Sequence, residues 1–155
     1  MDYFKLSYLL ALQEWLAADQ ETERLMLAIA EREGNRKSWI TSNFLENFPC
    51  DDLCIIDHLW VKFSNGRFGF SVQQRIYEGL VNSGKYDNDF SRISEKRRYQ
   101  LLDAVFFNAV GWTRTQDNFI FDLQAPIGHL PTFYQIGNWH IFFSRVQYCL
   151  GKSSD

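Results

Sequence analysis

The residues of this 155-residue chain best suited to chemistry are three histidines, three cysteines and an unusual number of aromatic rings. His58, His129 and His140 lie far apart, and none sits in a metal-ligand motif. Cys50, Cys54 and His58 form an i, i+4, i+8 row that could face one ion if a helix began early enough. Asp51 and Asp52, however, mark the start of that helix, and the cysteine gap is three residues where the usual zinc signature has two. Nucleophile elbow, phosphate loop and HExxH patterns are absent. The pair Asp51–Asp52 suits the positive end of a helix better than acid–base catalysis. The residues therefore offer no catalytic group and no metal set, and a non-enzymatic binding protein is expected.

Fourteen Phe, seven Tyr and five Trp make 17% of the chain, more than a core of this size demands. Such an excess serves an aromatic-heavy core, a groove for a flat apolar ligand or a partner interface. The net charge of -3 gives no footprint for nucleic acid. Arg92, Lys96, Arg97, Arg98, Arg114 and Arg145 would suit a carboxylate-bearing ligand, although Lys96 to Arg98 read most simply as a solvated helix face. Three cysteines without framework spacing suit thiols in a reducing compartment. The first residues, Met1-Asp2-Tyr3-Phe4-Lys5, resemble neither a signal nor a transit peptide, and no apolar run reaches membrane-spanning length. A soluble protein, made where it works, is expected.

Helices must position these groups. Phe4, Tyr8, Leu12, Trp15 and Leu16 share one face of a first helix over 4–18. Asp19 then caps a second helix that Gly34 stops. Thr41 opens a short helix ending before Pro49. The next runs from Leu53 to about Phe63 and closes at Ser64-Asn65-Gly66. Ser71 and Gln74 form a capping box for a helix carrying Val72, Ile76 and Leu80. Residues 82–93 read as a loop, and Ser94 caps a helix carrying Leu101, Leu102, Val105 and Phe106. Phe119, Phe121 and Leu123 alternate as a short strand would. Pro126, Gly128 and Pro131 mark a loop, and Trp139 to Val146 a final helix. No repeat or linker divides the chain, which predicts an all-α, compact single-domain bundle over 1–150 with a short polar tail at 151–155.

Two apolar residues stand out in that frame. On the 53–63 helix Val61 falls in a polar arc between Asp57 and His58. Phe70 precedes the expected Ser71 cap, where a hydrophobic staple would pair it with the fourth helical residue, but that residue is Arg75. Phe70 is thus expected to lie outside the core, with packing into the core as the alternative.

The runs Phe48-Pro49-Cys50-Asp51-Asp52-Leu53, Ile56-Asp57-His58-Leu59-Trp60-Val61 and Ser64-Asn65-Gly66-Arg67-Phe68-Gly69-Phe70-Ser71-Val72-Gln73 closely resemble the genomes-uncoupled-four family. Val110-Gly111-Trp112, Ala125-Pro126-Ile127-Gly128-His129-Leu130-Pro131, Ser144-Arg145-Val146 and the Leu9-to-Asp19 pattern with Thr22 and Leu25-Met26-Leu27 match as well. The resemblance implies an all-helical domain whose concave groove holds protoporphyrin IX or Mg-protoporphyrin IX. It also implies a partner, the large porphyrin-binding subunit of magnesium chelatase, in a cyanobacterial cytoplasm or plastid stroma, with at most peripheral membrane contact. In the family the positions of Val61 and Phe70 line the groove. Trp60, Arg67, Phe68, Trp112 and His129 stand in the matched motifs. Tyr134 stands on the lid, and Arg145 at its end is expected to pair with a propionate. The chain departs from the family in that lid, which spans only Thr132 to about Ile141 and carries no Arg or Lys.

The resemblance thus implies a porphyrin carrier that promotes magnesium insertion by the chelatase. The alternatives are a sensor module for a linear tetrapyrrole or for a protein partner alone, and a haem enzyme using His58 or His129 as ligand.

Overall fold

The computed structural model describes residues 1–35, 40–85, 92–112, 119–133 and 136–152. Within them the chain forms seven α-helices: α1 (Phe4–Ala11), α2 (Trp15–Arg32), α3 (Ser42–Glu46), α4 (Cys50–Phe63), α5 (Phe70–Asn82), α6 (Glu95–Ala109) and α7 (Trp139–Lys152). No strand occurs among the described residues. α7 is the central element, packing on α3, α4 and α5, while α1 pairs with α2 and also meets α4. An aromatic layer of Phe106, Trp112, Trp139, Phe142 and Phe143 fills the space between α6, α7 and the loop before α7, each ring at most 3% exposed. Much of the aromatic excess is therefore spent on the core.

Several local expectations hold. Thr41 caps α3 by accepting from the Phe44 amide, and Ser94 caps α6 by accepting from Arg97. α4 ends at Phe63 with Ser64 as its C-cap, after which Asn65 and Gly66 take positive φ.

Others are corrected. The first helix stops at Ala11 rather than Ala18, because Gln13 turns to a left-handed φ of 59° and α2 restarts at Trp15. That turn breaks the phase of the expected apolar face. Of that face Trp15 alone enters the core, joined by Leu6 and Leu10, while Phe4, Tyr8, Leu12 and Leu16 are exposed. Asp19 consequently lies inside α2 and caps nothing. The Ser71–Gln74 capping box does not form, since α5 begins at Phe70 with Gly69 before it, two residues earlier than a Ser71 cap would start it. Its start is capped from another helix, where the Asp57 carboxylate of α4 accepts from the Ser71 amide at 2.7 Å. Phe119 to Leu123 make no strand, and the Ile120 amide donates to a histidine ring instead of a neighbouring strand.

The cysteines are also corrected. Cys50, on the first turn of α4, is disulfide-bonded to Cys149 near the end of α7, with Cα atoms 5.1 Å apart. Counting cysteines could not find this pair, because 99 residues separate its members. Cys54 lies outside the disulfide.

Candidate functional site

The matched motifs converge on one seam, the α4–α5 turn at 64–69 laid against the 125–132 loop. Glycine shapes both strips. Gly69 has φ of 129°, and a Cβ there would come within 2.9 Å of both Asp57 Oδ1 and Val61 Cγ2. Gly128 has φ of 79°, and its Cβ would meet Ile76 Cδ1 at 2.7 Å. With side chains absent, the backbones bond directly. Gly69 donates to the Leu130 carbonyl at 3.0 Å and Gly128 to the Arg67 carbonyl at 2.8 Å. Arg67 Nη2 donates to the Ala125 carbonyl at 2.7 Å, and Gln73 Nε2 donates to the carbonyls of Gly128 and Pro131. Asp19 fastens the loop's far end by accepting from the Thr132 amide (2.7 Å) and hydroxyl (2.5 Å). Burial pushes the Asp19 carboxyl up to about 6 despite those two bonds.

Beneath the seam several of the sequence-predicted residues are buried. Trp60 is completely buried and donates from Nε1 to Thr22 Oγ1 at 2.9 Å. Phe68, also buried, sits edge-on to Trp15 and Trp60, and its amide donates to Ser64 Oγ. His129 is buried with both ring nitrogens engaged. Nδ1 donates to the Val110 carbonyl at 2.7 Å, and Nε2 accepts from the Ile120 amide at 3.0 Å. That arrangement requires the neutral Nδ1–H tautomer. Burial lowers the ring's pKa, which favours this neutral form. Trp112 donates from Nε1 to the His129 carbonyl at 2.7 Å and packs in the aromatic layer.

Phe70 is corrected as a residue outside the core. It is completely buried and sits edge-on to Phe142, with centroids 5.0 Å apart, because it opens α5 rather than preceding it. Val61 is half-buried against Gly69. Tyr134 lies outside the described residues.

Open space lies along α7 instead. Arg145 lines a cleft of about 390 Å³ with Glu46, His140, Ile141, Ser144 and Tyr148. Its Nε donates to the Phe48 carbonyl at 2.8 Å, and its guanidinium lies 5.0 Å from the Tyr148 ring centroid. A second cleft of about 410 Å³ opens between α6 and α7, with Lys96, Tyr99 and His140 among its walls. The structure thus separates the predicted site into a hydrogen-bonded seam, within which Arg67 Nε and Gln73 Oε1 are buried without a partner, and a half-buried cation on α7. The clefts were missed in the sequence because their walls come from helices far apart in the chain.

The family model described as GUN4-like matches residues 1–146. The chain belongs to the GUN4-like family. It is 34% identical over 136 residues to the Ycf53-like protein of Synechocystis, covering 88% of this chain and 53% of that protein. It is 32% identical over 121 residues to the chloroplastic tetrapyrrole-binding protein of Arabidopsis thaliana, covering 77% and 43% respectively. The chain therefore spans about half the length of these curated relatives. The fold matches the ligand-free structure of Arabidopsis thaliana GUN4 with a TM-score of 0.67 and 28% identity, over 94% of each chain. It matches GUN4 from Chlamydomonas reinhardtii at 0.70 and 26%, over 93% of this chain and 89% of the other. Both likenesses agree with the all-α single domain of this GUN4-like chain. None of its described helices is long and apolar enough to cross a membrane.

Proposed function

We propose that this GUN4-like chain is a non-catalytic tetrapyrrole-binding protein. The observation that carries this reading is the cleft on α7, where Arg145 stands beside the apolar surfaces of Ile141 and Tyr148 in a chain matching its family over residues 1–146. A relative that carries the tetrapyrrole-binding name supports the same reading. The donor set fits such a ligand, since an apolar wall takes the macrocycle by burial and a guanidinium takes a propionate by a charge-assisted hydrogen bond.

The finer reading is that the ligand is protoporphyrin IX or Mg-protoporphyrin IX. The chain would then present it to the large porphyrin-binding subunit of magnesium chelatase in a cyanobacterial cytoplasm or plastid stroma. Val61 is proposed to face the ligand. Trp60, Arg67, Phe68, Phe70, Trp112 and His129 are proposed to act by holding the seam that shapes the site, and Tyr134 as part of the lid.

Titration with protoporphyrin IX tests this directly. Tryptophan emission should be quenched and the porphyrin band should shift at micromolar ligand, and Arg145→Ala should weaken the free acid more than its dimethyl ester. Unchanged emission and absorbance would remove the porphyrin reading. Binding of a linear tetrapyrrole in its place would establish the alternative.

A further inference from the structure

We propose that the outer face of α1 is a self-association surface, on which a second copy of this chain packs antiparallel to form a weak two-fold dimer. The inference is independent of the tetrapyrrole reading and uses none of the residues of the seam or the clefts.

α1 gives only one side to the core. It packs on α2 and α4, and there Leu6 and Leu10 are completely buried. On the other side Phe4, Tyr8 and Leu12 follow one another at i, i+4 spacing, which stacks them along one face. Phe4 is 75% exposed, Tyr8 55% and Leu12 54%, and Leu16 stands at 50% just past the Gln13 turn. The Phe4 and Tyr8 rings stack, with centroids 6.3 Å apart and planes 17° from parallel, so they present one continuous apolar ridge. The helix carries a single charge, Lys5. Apolar residues exposed singly are ordinary on a surface, but an uninterrupted row of them marks an interaction site.

Three features choose a second copy as the occupant. The first is symmetry. With two α1 helices antiparallel about Tyr8, Tyr8 meets its own copy and the bulky Phe4 meets the smaller Leu12. Each half of the row therefore supplies what the other half receives, as a two-fold interface requires. The second is charge. The row carries none, so it does not repel itself, while Lys5 flanks one end and Glu14 the other. The antiparallel arrangement brings Lys5 of one copy toward Glu14 of the other. Glu14 is exposed and has no side-chain partner among the described residues. Lys5 pairs with Glu21 and is still 67% exposed, and Arg24 holds Glu21 as well. The third is area. A large aromatic side chain carries about 150–250 Å², so the exposed parts of the row come to on the order of 400–500 Å² per copy. A stable complex buries about 800 Å² on each side, and a face near half that size supports a dimer that forms and separates with concentration.

Sedimentation velocity between about 5 and about 500 µM tests this on wild type, Phe4→Glu, Glu14→Lys and the double variant Lys5→Glu/Glu14→Lys. Phe4 and Glu14 are exposed, and thermal melting confirms that each variant folds. The mean mass of wild type should climb with concentration toward that of two chains. Phe4→Glu should stay monomeric throughout. Glu14→Lys should weaken association roughly threefold or more, since the symmetric interface contains the pair twice, and the double variant should recover it. Wild type monomeric at the highest concentration would overturn the proposal, as would a dimer that survives Phe4→Glu. Indifference to both charge reversals would overturn the antiparallel register. A monomeric wild type that floats with phospholipid vesicles, and loses this in Phe4→Glu, would give the face to a membrane surface instead.

Discussion

Asp19 sits mid-helix with both carboxyl oxygens turned to Thr132, and burial raises it from 3.8 to about 6. A carboxyl raised in the folded state favours folding while protonated. Its stabilisation is complete below about pH 4 and fades as the pH rises through about 6, on the order of 2–3 kcal/mol across the window. Asp103, also raised to about 6, adds a slope of the same sign. Asp19→Asn keeps an acceptor for the Thr132 amide and removes one titration, so urea unfolding at several pH values should show a flatter profile than wild type. Parallel profiles would mean that Asp19 titrates alike in the folded and unfolded chain. Phe70 makes a sharper contrast with its sequence. Completely buried against Phe142, it should cost about 3–5 kcal/mol when replaced by alanine. Val61→Ala should cost only about 1 kcal/mol and act mainly on porphyrin affinity. If chemical denaturation gave Phe70→Ala a loss under 1 kcal/mol, the ring would not be core. The sequence pointed to both residues but could not tell wall from core, because the distinction depends on a two-residue shift in where α5 starts.

At the scale of elements, local signals were legible and cross-element ones were not. Thr41, Ser94 and the Ser64–Gly66 stop act on their own helices, so a linear reading finds them. The start of α5 is capped by Asp57 from α4, and the Ile120 amide is satisfied by His129, so neither follows from neighbours in sequence. The exposed row on α1 and α2 shows the same limit in reverse. Helical spacing from Phe4 to Leu16 is regular, but the left-handed Gln13 interrupts the helix that would have made it one face. The Cys50–Cys149 link ties the first turn of α4 to the last turns of α7 beside the Arg145–Phe48 hydrogen bond. Cys149→Ser should therefore lower unfolding free energy by about 2–5 kcal/mol. Wild type in dithiothreitol should approach the variant, and identical melting of oxidised wild type and variant would show that the link adds nothing to the fold.

Across the whole molecule, the family and the all-α architecture could be read from the ordered run of motifs, which is why the GUN4-like match spans residues 1–146. The clefts could not, since α6 and α7 meet only after the chain has folded back on itself. The disulfide gives that path a closed form: the segment between Cys50 and Cys149 is a covalent ring. A single cut inside a ring opens it without releasing a piece. Lys85 is exposed after the end of α5, inside the ring, and offers trypsin a place to cut. Such a nick should leave one band of unchanged mass on a non-reducing gel and two shorter bands after reduction, so a protein severed between α5 and α6 would still travel as one molecule for as long as its sulfurs stay joined.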